Sequence, residues 1–236
     1  MMNGCAGPAK RQVFLTRFTA WAPGMDTAEN WKEWARGERK IPETKESPEL
    51  EFTEPPFRRR LSQISRMTIQ VVHDLLPLPE DCPIVFLSFR GEIARQLKIN
   101  MMLIEHGALL PAAFSLSVFN APVALATIAF NLTCGYTAIF PAEDRFYTGF
   151  QIAAAPVLCG SGKKTVLVYA DELVPLEYGK LCPPENEPFA FAAILCGERD
   201  GDALSVQIPE NAAAASGTVL ESPRGFLKYL YSHQEF

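Results

Sequence analysis

Residues 107–142 contain no Asp, Glu, Lys or Arg. A charge-free run of that length either crosses a membrane or is covered by protein. Pro111, Ser115, Ser117, Asn120, Pro122 and Asn131 interrupt it. Its longest polar-poor piece, residues 121–130, is about half of the ~20 residues that a spanning helix needs. The run therefore reads as buried structure, with no membrane span. The first residues lack the apolar stretch and cleavage site of a secretion signal, so the expected location is the cytoplasm.

The rest of the composition agrees. Of 236 residues, 48% are hydrophobic and 21% charged, enough apolar surface for one well-buried domain. That fraction, with a net charge of only −5, excludes disorder as the main state. None of the six cysteines (Cys5, Cys82, Cys134, Cys159, Cys182 and Cys196) falls in CxxC spacing. His73, His106 and His233 are scattered, so no metal or cofactor motif is visible and the thiols read as reduced and mostly buried. Residues 1–66 carry a net +3 and residues 67–236 a net −8. Arg58, Arg59 and Arg60 are the one dense basic cluster. Without aromatic interleaving they read as a solvated helix start, with no nucleic-acid partner.

Periodicity gives the fold class. Residues 13–16 read as a short first strand, and residues 40–56, rich in Pro and Glu, as an exposed connection. Leu61, Ile64, Met67, Val71, Val72 and Leu75 share one helical face, and Pro77 and Pro79 stop that helix. Residues 84–87 form a buried strand, 91–106 a helix ended by Gly107, and 121–130 a short helix. Residues 133–139 read as a strand, 143–155 as a helix, and 165–170 as the clearest buried strand. Residues 189–196 and 204–208 read as an antiparallel pair joined around Asp200-Gly201-Asp202. Strands alternating with helices make the class α/β.

Chemistry is sparse. Cys134 sits in Thr-Cys-Gly-Tyr, but no histidine is an evident base for it. Gly160-Ser161-Gly162-Lys163 lacks the upstream glycine of a phosphate loop and is followed by a strand instead of a helix. Glu143-Asp144 reads as a helix cap.

The order of motifs goes further. Phe114-Ser-Leu-Ser-Val-Phe-Asn-Ala-Pro, then Thr127-Ile-Ala-Phe-Asn131, then Ala142-Glu-Asp-Arg-Phe146, and Asp171-Glu172 after the strand TVLVYA, resemble the N-terminal half of β-ketoacyl synthases. Arg59-Arg60-Leu61-Ser62 and Ser65-Arg66-Met67 fit the arginine-rich start of that family's second helix. The resemblance covers roughly residues 12–180 and is nearest to the short, chain-length-factor-like branch, with Phe119 where that branch often has His. It implies thiolase-like α/β/α layers over residues 1–180 of a single domain, with residues 181–236 as a C-terminal extension.

The same resemblance implies a function. In register with the family asparagine at Asn120, the nucleophile cysteine position falls on Glu143. The half of the fold that carries the catalytic histidines has no counterpart here. The implied role is a non-catalytic, chain-length-factor-like partner of a full-length β-ketoacyl-ACP synthase, in elongation of aryl polyene, polyketide or fatty-acid-type chains. An acyl carrier protein would bring the growing chain. Ala113, Phe114 and Phe119 are then tunnel candidates, although both rings fit core packing equally well. Asn120, Thr133, Cys134, Tyr136 and Ile139 are dimer-interface candidates. Two alternatives stay open: a divergent acyltransferase or ketosynthase-like enzyme using Cys134 or Glu143, and a purely structural stabilising subunit.

Overall fold

The structure, a computed structural model, describes residues 11–108, 111–142, 145–160 and 164–233. Its centre is one six-stranded sheet in the order β3-β2-β4-β5-β1-β6. The strands are β1 (Gln12–Trp21), β2 (Ile84–Leu87), β3 (Tyr136–Ile139), β4 (Thr165–Asp171), β5 (Phe189–Cys196) and β6 (Leu204–Gln207). β2 runs parallel to both β3 and β4, whereas β4, β5, β1 and β6 are successively antiparallel. The helices are α1 (Ala28–Arg36), α2 (Pro55–Arg58), α3 (Gln63–Asp74), α4 (Ile93–His106), α5 (Pro111–Ser115), α6 (Ala121–Ala129), α7 (Phe146–Leu158), α8 (Ala212–Ala215) and α9 (Pro223–His233).

The period-two alternation of the inner strands builds a core on each side of the sheet. Val166, Val168 and Ala170 of β4 face one layer, with Ala190, Ala192 and Ile194 of β5. There they meet Ile64, Met67, Val71 and Val72 of α3, and Val123 and Ala126 of α6. Leu167 and Tyr169, with Phe191, Ala193 and Leu195, face the other layer, formed by α7, α1 and α9. The result is the expected α/β/α stack. Gly149 shows how closely α7 approaches the sheet, because a Cβ there would lie 2.7 Å from the Leu87 side chain.

Four expectations change. The residues of β5 and β6 do not form a hairpin, because β1 lies between them. All eight residues of β5 are buried, so it needs a long neighbour on each edge. The ten-residue β1 supplies that and the four-residue β6 could not. Consequently the segment after residue 180 holds a central strand of the sheet and, in α9, part of its covering layer. Residues 40–56 are anchored by Ile41 and Leu50, both buried. Arg58 ends the short helix α2 rather than starting α3, whose own start is capped by Ser62 accepting from the Ser65 N–H at 3.2 Å. The strand expected at 133–139 is confined to Tyr136–Ile139.

Candidate functional site

The parallel strands β2 and β4 end side by side, at Leu87 and Asp171, and the chain turns polar at both ends. Asp171 accepts from the Ser88 hydroxyl at 2.6 Å, from the backbone N–H groups of Phe89 and Arg90 at 3.1 and 3.0 Å, and from the Tyr169 hydroxyl at 2.5 Å. Burial pushes this carboxylate up, and the Ser88 and Tyr169 hydrogen bonds and nearby Arg90 pull it back.

Glu172, one residue on, is buried and does a different job. Its Oε1 accepts from the Ala94 N–H at 2.9 Å and its Oε2 from the Ile64 N–H at 3.5 Å. Ile64 and Ala94 are the second residues of α3 and α4. One carboxylate therefore joins the amino ends of two helices, where backbone N–H groups lack intrahelical partners and the helix dipole favours negative charge. Glu92, at the cap position of α4, completes the clasp. Its Oε1 accepts from the Ser62 and Ser65 hydroxyls of α3, at 2.7 and 2.6 Å, and its Oε2 from the Arg95 Nε at 3.1 Å. Burial, and then the neighbouring Glu92 carboxylate, push Glu172 up to about 8. Glu92 did not stand out in the sequence, and Ser62 and Ser65 did so only as part of the arginine-rich helix start, not as partners of a carboxylate. The usable signal was Ser62 three residues before Ser65 at a helix start, a capping pattern that lacks its usual acidic third residue.

Glu172 and Arg95 line an open groove of about 490 Å³ whose other charged walls are Lys45, Arg59, Arg60, Arg66, Lys98 and Glu177. Cations outnumber carboxylates on its wall, so the groove favours anions. The clasp below it holds α3 and α4 in place, and with them Arg66, Arg95 and Lys98.

The interface candidates gather at the β3 edge of the sheet, beside β2. β3 is an edge strand, paired with β2 on one side and with no strand on the other among the described residues. Tyr136 and Thr137 are exposed, and Asn120 reaches over to donate to the Tyr136 hydroxyl at 3.0 Å. Phe140, directly after β3, is 58% exposed, and the same charge-free run also exposes Ile128 of α6 at 65% and Phe114 of α5 at 57%. Ile139 is half-buried against the sheet core.

Phe119 is half-buried between Phe86 and Phe140, with ring centroids 6.1 Å from each. Its ring closes over Gly91, which has φ +58° and where a Cβ would lie 2.8 Å away. Phe119 is thus part of the packing, while Phe114 stands free of it. Thr133 is exposed and Cys134 half-buried in the turn before β3, and burial pushes the Cys134 thiol up. Ala113 belongs to α5, but its side chain lies outside the described part, and Glu143 lies outside the described residues. Among the described residues no cluster of His, Cys, Asp and Glu could hold a metal ion, and no helix is long and apolar enough to cross a membrane.

A family model for the N-terminal domain of β-ketoacyl synthases matches residues 31–226. The chain belongs to that family. The match runs through β5, β6 and into α9, so the late strands are part of this ketoacyl-synthase domain. Solved structures agree on the fold. A ketosynthase (ApeO) in complex with its chain length factor (ApeC), from Xenorhabdus doucetiae, is similar at 24% identity and a TM-score of 0.70, over 93% of this chain and 92% of that one. The ishigamide ketosynthase/chain length factor is similar at 10% identity and a TM-score of 0.58, over 78% of this chain and 62% of that one. A type II polyketide acyl-carrier protein in complex with its hexaketide-bound ketosynthase (AntDE:AntF) is similar at 12% identity and a TM-score of 0.56, over 78% and 63%. A comparison with curated protein sequences returns no match.

Proposed function

We propose that the chain is a non-catalytic, chain-length-factor-like subunit that pairs with a full-length β-ketoacyl-ACP synthase and helps shape its acyl tunnel. The observation that carries this reading is the open edge of β3 with its apolar rim. A bare strand edge is a ready template for another chain, and natural proteins leave one exposed mainly where a partner covers it. Phe140, directly after this strand, is 58% exposed, and Phe114, Val118 and Ile128 of the same charge-free run are exposed as well, apolar surface that a partner of the same fold would bury. The match to a chain of nearly equal length in a ketosynthase–chain length factor complex supports the same reading, since both chains are covered almost completely.

In this reading an acyl carrier protein delivers the growing chain, of aryl polyene type or another polyketide or fatty-acid type, and the pair works in the cytoplasm. Catalysis by this chain itself is the weaker reading. Burial holds the Cys134 thiol above the ordinary cysteine range and disfavours the thiolate that acyl transfer requires. Among the described residues no histidine hydrogen-bonds to it.

Co-expression with a full-length β-ketoacyl-ACP synthase of the same organism, followed by size-exclusion chromatography, tests the pairing. The expected result is one co-eluting complex that Tyr136→Pro abolishes, because proline cannot donate to a strand ladder. A chain that stays apart from every candidate ketosynthase overturns the proposal. Products that keep their length in both Phe114→Ala and Phe119→Ala complexes would leave a purely structural subunit.

A further inference from the structure

The basic groove does not end at Arg59 and Arg60. On their other side lies a second hollow of about 490 Å³, lined by Phe57, Leu61, Leu116 and Leu125 with Ser115 and Arg95. The two cavities share Arg59, Arg60, Leu61 and Arg95, so they form one trough with a cationic centre and an apolar end. Among the described residues no acidic side chain lines the apolar end. This volume lies in the range of small-molecule sites, which are mostly apolar with a few placed polar groups.

The charges at the junction are unequal in a telling way. Arg95 is committed: it donates to Glu92 at 3.1 Å and to the Arg60 carbonyl at 2.8 Å, which also fixes the Arg60 backbone. Arg59 and Arg60 are exposed, and neither guanidinium has a carboxylate or hydrogen-bond partner among the described residues. The chain has 27 acidic side chains against 22 basic ones, so partners were available and none was placed there. Two adjacent planar cations at the mouth of an apolar hollow suit a carboxylate attached to a hydrocarbon tail. The guanidinium fork matches the head, and the hollow removes the tail from water.

We propose that this trough binds a medium-chain carboxylate, with its head between Arg59 and Arg60 and its chain over Leu61, Leu116 and Leu125. The inference stands apart from the pairing with a ketosynthase, because every residue it uses belongs to this chain.

The test is calorimetric titration of the full chain with decanoate below its micelle concentration. Acetate serves as the head alone and decanol as the tail alone. The expected result is saturable binding of one decanoate per chain, at least tenfold tighter than either fragment. The exposed double variant Arg59→Gln/Arg60→Gln should weaken it about tenfold or more, as loss of charge-assisted hydrogen bonds requires. Leu125→Trp, which fills the hollow, should weaken it comparably. Decanoate binding no tighter than acetate or decanol overturns the proposal. So does tight binding that survives Arg59→Gln/Arg60→Gln, and this variant decides the matter alone if Leu125→Trp fails to fold.

Discussion

The clasp beneath the groove predicts a stability that falls as pH rises through neutrality. Glu172 has a folded-state pKa of about 8 against an ordinary value of 4.5. The folded chain therefore holds this proton where the unfolded chain has released it. The stabilisation is complete below about pH 4.5 and is lost as pH climbs through 8. Inside that window each pH unit removes up to ~1.4 kcal/mol, and the slope halves at the folded pKa. From pH 6 to pH 8 the loss from this one group is about 2 kcal/mol. Glu172→Gln keeps an amide oxygen for the Ala94 N–H and removes the titration. Urea unfolding of the full chain at pH 6, 7 and 8, followed by the fluorescence of Trp21, Trp31 and Trp34, measures both proteins. Every other ionisable side chain is common to both proteins, so the comparison isolates Glu172. The natural chain should lose about 2 kcal/mol more than the variant over that range. Parallel stability profiles would refute the reasoning, because they would mean that Glu172 is ionised in the folded protein at neutral pH.

Two further outcomes follow from the packing. Phe226 of α9 is fully buried, with ring centroids 5.4 Å from both Phe146 and Phe150 and 5.5 Å from Phe191. Phe226→Ala should cost ~3–5 kcal/mol in denaturant unfolding, and a cost below ~1 kcal/mol would make α9 a loosely attached tail. Alkylation at pH 7.5, read by peptide mass, should label exposed Cys159 first and half-buried Cys134 later. Cys82, buried and pushed up to about 12, should react only after unfolding. Cys134 as the fastest thiol would revive the reading in which it is a nucleophile.

What the residues revealed in order, and what they concealed, follows from the range of the interactions. α3, β2, α4 and β4 were legible because each carries its own period and its own stop, such as Pro77 or Gly107. The partnership of β5 with β1 was not, because nothing local in Phe189–Cys196 says which strand will lie beside it. The turn at residues 200–202 misled for the same reason: a hairpin is the nearest solution in sequence, yet a long buried strand demanded a longer neighbour. The interface candidates Asn120 and Tyr136 do meet at the β3 edge. Phe119 turned inward because Gly91 leaves room for its ring. The Glu92–Glu172 clasp joins segments about 80 residues apart, and no pattern within either segment marks it.

The placement of β1 has a consequence for synthesis. Phe14 pairs with Cys196, 182 residues later in the chain. A ribosome adding about 5–20 residues per second releases β1 roughly ten to thirty-five seconds before its partner exists. During that interval neither edge of this ten-residue strand has its native strand partner, although α3, which it also touches, has already been made. The protein's most vulnerable moment is thus its own translation, when β1 must be shielded by chaperones or remain unpaired until β5 emerges to complete the sheet.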